Sequence, residues 1–311
     1  MDKGLIIQTR PGVGDLCIFL PYIQQIQKHN TDLNFTLITK KRSSAKQILE
    51  YEIPFIKTIY LEDKILKITN SKFLNFFILL KFIKKNNYSK IYIMHFSFFW
   101  FLVAKIANVK KIYTYGIFKK NVNIYKNALK NNQKWLNKKN LSTQTKITYP
   151  KNKYKKNKNQ IIVGIGSSGP TRKWSTENYI SLIKKINNKK IKFYLAGGNN
   201  KVENQIANEI INKLKENKII SLSSLNIKKI MQIIYSSKLY VGNDTGFMHL
   251  SAGLNIPAIG LFGDTPLEAY GKYTRNIFPI IPVGYKTITH NSNAINEITV
   301  DQVFNEVKKF I

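Results

Sequence analysis

Short β-rich runs alternate with helical patterns along most of the chain, and this alternation restricts the fold more than any other feature. LIIQT (5–9), FTLIT (35–39), TIYLE (58–62), KIYIM (90–94) and KIYTYG (111–116) read as strands, with helices expected at 15–29, 44–51, 72–85, 98–107 and 119–137. Strands separated by helices cannot pair through tight hairpins, so the order implies βαβ units around a parallel sheet. The stretch YPKNKYKKNKNQ (149–160) is polar, basic and without periodicity, and reads as a linker. The alternation then restarts with IIVGIG (161–166), KFYLAGG (192–198), KLYVGN (238–243) and AIGLFG (258–263), with helices near 175–188, 200–217 and 226–236. A length of 311 residues suits roughly two average domains. The expected fold class is α/β, with two doubly wound parallel-sheet domains at 1–155 and 156–298. The remaining residues, 299–311, read as an amphipathic helix. Thr299 and Gln302 open it with a capping box, and Val300, Val303, Val307 and Phe310 share one face.

In open α/β sheets ligands bind beyond the carboxyl ends of the strands, and three loops in that position carry chemistry. In QTRPGVGDLCIFLP (8–21) a strand ends, a glycine-containing turn follows, and a helix begins near Asp15. PGVGD is not G-x-G-x-x-G, so a dinucleotide fingerprint is unsupported. Asp15 fits either a helix N-cap or a carboxylate poised to accept a proton. In GIGSSGPTRKWSTENY (164–179), Ser167, Ser168 and Thr171 offer hydroxyls, and Arg172 and Lys173 precede a helix that Ser175 can cap. Hydroxyls, backbone N–H groups and a cation in one loop suit a diphosphate. In VGNDTGFMHLSAGLNIPAIGLFGDT (241–265), Asn243 and Asp244 lie just past a strand, Thr245 and Gly246 open a helix, and His249 sits one turn in. Gly246 lets a ligand approach the backbone. A lone histidine reads as structural, whereas D-T-G-x-x-H at a strand-to-helix turn is far more specific.

Several chemistries lack support. The seven Asp residues form no D-x-D pair, and no H-x-x-x-H, C-x-x-C, P-loop or G-x-S-x-G pattern occurs. The single cysteine, Cys17, excludes an intramolecular disulfide and fits a reducing compartment. The opening MDKGLIIQTR carries no signal pattern. The longest uncharged apolar run, IYIMHFSFFWFLVA (91–104), falls short of the roughly 18–20 residues that span a bilayer. It reads as a buried strand followed by a helix. The sharper reading is a membrane-docking surface, since Phe96, Phe98, Phe99, Trp100 and Phe101 are too many aromatics for one helix face. FLNFFILLKFIKK (73–85) is similar, with a basic end.

The net charge is +33, from 50 Lys and Arg against 17 Asp and Glu. Such a balance suits nucleic acid, an anionic membrane or a phosphorylated substrate. The crowding of Lys, Asn and Ile is also what an AT-rich genome encodes. No nucleic-acid-reading motif is present, so nucleic acid is not an expected partner.

Taken in order, GVGDLCIFLP, SSGPTRKWSTENY and GNDTGFMHLSAGLNIPAIGLFG resemble the heptosyltransferase family, glycosyltransferase family 9, which has the GT-B fold. The likeness in architecture covers nearly the whole chain; the motifs are clear in the C-terminal half and thin between residues 30 and 155. It implies two Rossmann-like domains facing a cleft. The C-terminal domain would hold a nucleotide-diphosphate sugar, typically ADP-heptose, and the N-terminal one the acceptor, a lipopolysaccharide core or other lipid-linked surface glycan. The implied transfer inverts the anomeric centre and uses no metal or other cofactor. The enzyme would be cytoplasmic and peripheral to the inner membrane face, with an anionic membrane surface as partner.

By similarity Asp15 is the general base, and Gly14 lies beside the donor phosphates. Ser167 and Ser168 match a hydroxyl pair at the diphosphate, and Arg172, next to Lys173, supplies charge there. Glu203, in GGNNKVENQIA, matches a carboxylate that holds the ribose. Asp244, Thr245, Gly246 and His249 match the donor cluster, with Asp244 orienting the sugar or the following amides. The C-terminal helix is expected to pack back on the N-terminal domain. A sugar-nucleotide epimerase or hydrolase is the alternative on the same fold. Arg10 and Pro11 depart from the small polar residues frequent in the family, and Phe247 is bulky beside the donor cluster.

Overall fold

The structure, a computed structural model, describes residues 2–311 except 53, 67, 117–122, 151–156, 158, 168, 187–189 and 216–217. Two compact units divide the chain, Met1–Thr143 and Gln144–Ile311. The first holds a five-stranded sheet of β1 (Asp2–Ile7), β2 (Leu33–Thr39), β3 (Lys57–Tyr60), β4 (Tyr88–Ile93) and β5 (Lys111–Thr114). The order is β3-β2-β1-β4-β5 and every pairing is parallel. Between the strands run α1 (Val13–Lys28), α2 (Ala45–Ile48), α3 (Lys72–Asn86) and α4 (Phe98–Ile106), and α5 (Ile124–Leu136) follows β5. The winding reverses between β1 and β4, which makes the carboxyl ends of these two strands the switch point where such sheets bind ligands.

Local chemistry accounts for these elements. Ser71, Ser97 and Asn123 cap α3, α4 and α5 by accepting the amides of Leu74, Trp100 and Lys126. Leu5, Ile7, Ile91 and Ile93 on the strands bury against Leu79 and Ile83 of α3 and Trp100 and Val103 of α4. Sealed on both faces, the central strands are apolar almost throughout, as parallel sheets require. The apolar run at 91–104 resolves into the end of β4 and most of α4, as expected. Among the described residues no helix is long and apolar enough to cross a membrane.

The second unit repeats the plan with β6 (Gln160–Gly164), β7 (Lys192–Ala196), β8 (Ile219–Ser221), β9 (Leu239–Asn243), β10 (Ala258–Leu261) and β11 (Ile277–Ile280). Its order is β11-β10-β9-β6-β7-β8, again all parallel, with the switch point between β6 and β9. The helices are α6 (Thr176–Ile186), α7 (Lys201–Leu214), α8 (Ile227–Ser236), α9 (Gly246–Gly253), the short α10 (Leu267–Tyr270) and α11 (Val300–Val307). Gly242, at φ +150°, faces the backbone of Gly164 on the neighbouring strand so closely that a Cβ would collide with it.

Three sequence expectations change. The boundary falls after Thr143 rather than near 155, because the segment before the linker is already bound to the second unit. The Ile147 amide donates to Gly253 at 2.8 Å, and Gln144 Oε1 accepts from Thr274 and Arg275. Most of the expected linker lies outside the described residues. For the C-terminal helix, expected to pack back on the first domain, the described core contacts lie within the second unit. Val303 and Val307 of α11 join the core of the second unit with Ile180 and Ile183 of α6, and Phe310 packs on Phe278. Finally, β8 and β11 were not expected as strands. Both are short sheet edges, and Pro279 within β11 is tolerated because an edge strand leaves one row of amides unpaired.

Candidate functional site

In the second unit the loops beyond the carboxyl ends of the strands are tied together by buried polar side chains. Asn243, the last residue of β9, is fully buried. Its Oδ1 accepts the Trp174 amide at 3.0 Å and its Nδ2 donates to the Gly166 carbonyl at 3.0 Å. The Tyr240 hydroxyl donates to the Asn243 carbonyl at 2.7 Å and lies 3.2 Å from Thr245 Oγ1. These bonds fix the turn that leads from β9 into α9.

That turn holds the cluster expected from the sequence. Asp244 Oδ1 lies 3.1 Å from His249 Nε2, an ion-pair distance without hydrogen-bond alignment. The other imidazole nitrogen, Nδ1, is 2.9 Å from the Tyr273 hydroxyl. Thr245 is the N-cap of α9 and Gly246 its first residue, and no side chain caps the first turn. The amides at a helix start have no partner within the helix and face outward with the positive end of its dipole. An uncapped start next to a glycine is an anion site in waiting.

Glu203 occupies the third position of α7 and is only 5% exposed. Its carboxylate accepts the amide of Ser167 at 3.2 Å and that of Gly198, thereby joining the loops after β6 and β7. Gly166, Gly197 and Gly198 surround it, and a Cβ on any of them would stand within 3.0–3.2 Å of Glu203 Oε2. The glycine pattern in GIG and AGG is thus a cradle for one buried carboxylate. The Ser167 hydroxyl donates to the Gly169 carbonyl, inside its own loop. Ser168 lies outside the described residues. Arg172 Nη2 sits 3.0 Å from His290 Nδ1, and Lys173 is half-buried beside it.

One residue of this set was not anticipated. Asp264, nearly fully buried, accepts the Thr171 hydroxyl at 2.6 Å and the Asn293 amide at 3.1 Å. It clamps the basic loop after β6 to the segment that carries His290. The signal was present: Gly263-Asp264-Thr265 after β10 repeats the strand–Asp–Thr pattern of Asn243-Asp244-Thr245 after β9.

In the first unit the switch point carries Asp15. The helix starts two residues earlier than expected, with Gly12 as N-cap and Gly14 in its first turn, so Asp15 is not the cap but the third helical residue. Its carboxylate accepts the Gly12 amide at 3.1 Å and Arg10 Nε at 2.7 Å. Gly12 was not singled out from the sequence, yet a Cβ there would press on Asp15 Oδ2 at 3.1 Å. Beyond the end of β4, His95 Nε2 lies 3.4 Å from Thr9 Oγ1, and its buried Nδ1 has no hydrogen-bond partner. Burial, reinforced by the Arg10 charge, holds the imidazole down to about 4, so it is neutral near pH 7. Cys17, two residues past Asp15, is fully buried, and desolvation first and Asp15 second push its thiol up to about 12. It is a packing residue, not a nucleophile.

Among the described residues no three His, Cys, Asp or Glu side chains gather into a metal-binding group. The profile of glycosyltransferase family 9 (heptosyltransferase) matches residues 97–291, well over half of the chain. The chain belongs to glycosyltransferase family 9.

A Campylobacter coli protein described as lipopolysaccharide heptosyltransferase 1 is 32% identical over 135 residues, 42% of this chain and 39% of that relative. The alignment thus spans about two fifths of the curated relative's length. Among solved structures, E. coli heptosyltransferase WaaC with ADP superposes with a TM-score of 0.74 at 15% identity, covering 99% of this chain and 100% of that one. A family 9 glycosyltransferase from Veillonella parvula gives 0.76 at 13% identity, covering 99% and 97%. At such identities the likeness establishes the fold, and the two α/β units are those of the GT-B fold of family 9.

Proposed function

We propose that this chain is an inverting, metal-independent glycosyltransferase. It moves a heptose from a nucleotide-diphosphate donor of the ADP-heptose type to a lipopolysaccharide core or other lipid-linked glycan at the cytoplasmic membrane face. The observation that carries this reading is the uncapped start of α9 beside Asp244 and the buried His249–Tyr273 pair. It is a site for a diphosphate on the unit matched most extensively by the family profile.

An inverting displacement needs one base and a sink for the leaving charge. In this proposal the acceptor hydroxyl gives its proton to Asp15 and its oxygen bonds to the anomeric carbon. The bond from that carbon to the diphosphate oxygen breaks on the opposite face. Arg10 and the Gly12 amide hold the carboxylate in one orientation and leave lone pairs on both oxygens for the hydroxyl. The departing diphosphate is met by the first-turn amides of α9 and the positive charge of Arg172 and Lys173. By resemblance to the family, Gly14, Ser167 and Ser168 contribute to binding the donor phosphates, and Thr245 adds a hydroxyl. Glu203 holds the glycine loops in shape, and the ribose binds against that surface. Asp244 acts through His249 and the turn rather than on phosphate, since an anion beside an anion would oppose binding.

Thermal denaturation of the purified chain with ADP, UDP, GDP or CDP tests the donor assignment. A ligand specific for the folded state adds about 2.7 kcal/mol of apparent stability at a hundredfold excess over its dissociation constant. A selective shift with ADP is expected. A selective shift with another diphosphate would replace the sugar donor, and consumption of the donor with no acceptor present would point to an epimerase or hydrolase.

A further inference from the structure

Helices α3 and α4 leave a row of large apolar side chains uncovered. Phe73, Leu74 and Phe77 on α3 are 70%, 52% and 51% exposed, and Phe98 on α4 is 66% exposed. Phe96, just before α4, and Phe101, on α4, are also exposed. The rings are continuous. Phe73 meets Phe77 edge-on at 5.0 Å between centroids, Phe77 meets Phe76 at 5.5 Å, and Phe76 meets Phe99 of α4 at 6.2 Å. Phe76 and Phe99 also pack against the core, but Phe73, Leu74, Phe77 and Phe98 are not part of it: α3 turns Leu79 and Ile83 inward and α4 turns Trp100, Val103 and Ala104. Scattered exposed side chains need no explanation, but a contiguous aromatic surface spanning two helices marks a place where something binds.

Its position is informative. α1 and α4 start a few residues beyond the carboxyl ends of β1 and β4, and α3 starts at Lys72 after the longer segment that follows β3 at Tyr60. Asp15, Phe73, Leu74 and Phe98 all lie in first turns, so the aromatic surface and Asp15 share one edge of the five-stranded sheet. Exposed Lys41 and Arg42, beyond the end of β2, add positive charge along that edge. Lys72 opens α3, and exposed Lys81 follows Phe77 on the same stripe one turn later.

Glu62 and Asp63 sit beside Lys41 and Lys46 at the end of β3, but α3, α4 and the long segment around them carry no acid. No Asp or Glu occurs between Asp63 and Glu177, while half of the chain's 50 Lys and Arg fall there. An AT-rich genome accounts for abundant lysine but does not place rings and lysines on the same outward stripe of one helix.

We propose that the α3–α4 surface docks the first unit onto a membrane rich in anionic phospholipid. The phenylalanine rings enter the boundary between headgroups and acyl chains, and the lysines lie against the lipid phosphates. Charge selects this occupant over a second copy of the chain, because a copy would bring the same α3 and α4, which carry lysines and no carboxylate, and repel. The inference deepens the proposed function by naming the surface on which a lipid-linked acceptor meets the edge that carries Asp15.

The test uses the full chain and flotation with vesicles of phosphatidylglycerol and phosphatidylethanolamine, or of phosphatidylcholine alone, with no sugar donor or acceptor. The wild-type chain is expected to float with the anionic vesicles and not with phosphatidylcholine. The variant Phe73→Ser/Phe77→Ser/Phe98→Ser should lose about tenfold or more in partitioning while unfolding at the wild-type temperature. In Phe98→Trp, the new indole should be quenched by brominated acyl chains in anionic vesicles. The proposal is overturned if wild type ignores anionic vesicles, if the triple variant binds them like wild type, or if the new indole stays unquenched. It is also overturned if the surface instead drives a concentration-dependent dimer that the triple variant dissolves. Binding to vesicles in a chain that transfers no sugar would leave this surface standing and remove the proposed activity.

Discussion

The carboxyl edges of the two sheets are built differently. In the second unit every loop of the candidate site is held from inside by a buried polar side chain. Asn243 and Glu203 hold the loop after β6, Glu203 also holds the loop after β7, and Asp264, within the loop after β10, ties Thr171 of the β6 loop to the segment at Asn293. In the first unit the edge is sparse. Asp15 is held by one amide and by Arg10, whose side chain is 41% exposed, and the rim is lined by uncovered phenylalanines. The contrast fits two tasks. Stabilising a leaving diphosphate rewards donors fixed before the reaction, since they need no reorganisation as charge develops. Receiving an acceptor carried on a lipid rewards an open edge with adaptable apolar contacts.

The contrast can be broken most forcefully at Glu203. Glu203→Gln puts an amide NH₂ against the N–H of Ser167 or Gly198 and should cost about 1–3 kcal/mol of stability. It should also weaken ADP binding. Urea unfolding and calorimetric titration measure the two effects. A variant as stable as wild type, binding ADP equally well, would mean that these loops are not held from inside.

A smaller effect sharpens the description of the first unit. His95 titrates at about 4 when folded against an ordinary value of 6.5. Between those values the unfolded chain binds the extra proton, so stability contributed here is full above about pH 6.5 and is lost as the pH falls towards 4. His95→Gln should therefore reduce the drop in urea midpoint between pH 7 and pH 5. An unchanged drop would show that His95 is not the neutral, buried group described.

Much of this organisation is legible in the sequence because parallel sheets bury both faces and leave long apolar runs. The order of βαβ units and the Asp244–His249 pairing follow from residues whose partners lie within a few positions, such as Thr245, Gly246 and His249 on one turn. What escaped depends on distant partners. Asp264 is defined by Thr171 and Asn293, which its likeness to the Asp244 pattern does not reveal, and Glu203 was named only through the family resemblance, since its hold on the Ser167 amide spans 36 residues. The amphipathic stripe of α11 showed that the helix packs but not where. Its partner, α6, lies more than a hundred residues away. Edge strands β8 and β11 are too short for a period-2 pattern to register.

The central claim is a division of labour, with the base in the first unit and the donor site in the second. The most direct measurement is transfer and ADP affinity on the same preparation of Asp15→Asn, with ADP-heptose and a heptose-free lipopolysaccharide core. Losing a general base should slow transfer by about 10²–10⁴-fold, with the ADP dissociation constant unchanged. Transfer at the wild-type rate, or ADP affinity falling in step with activity, would contradict it.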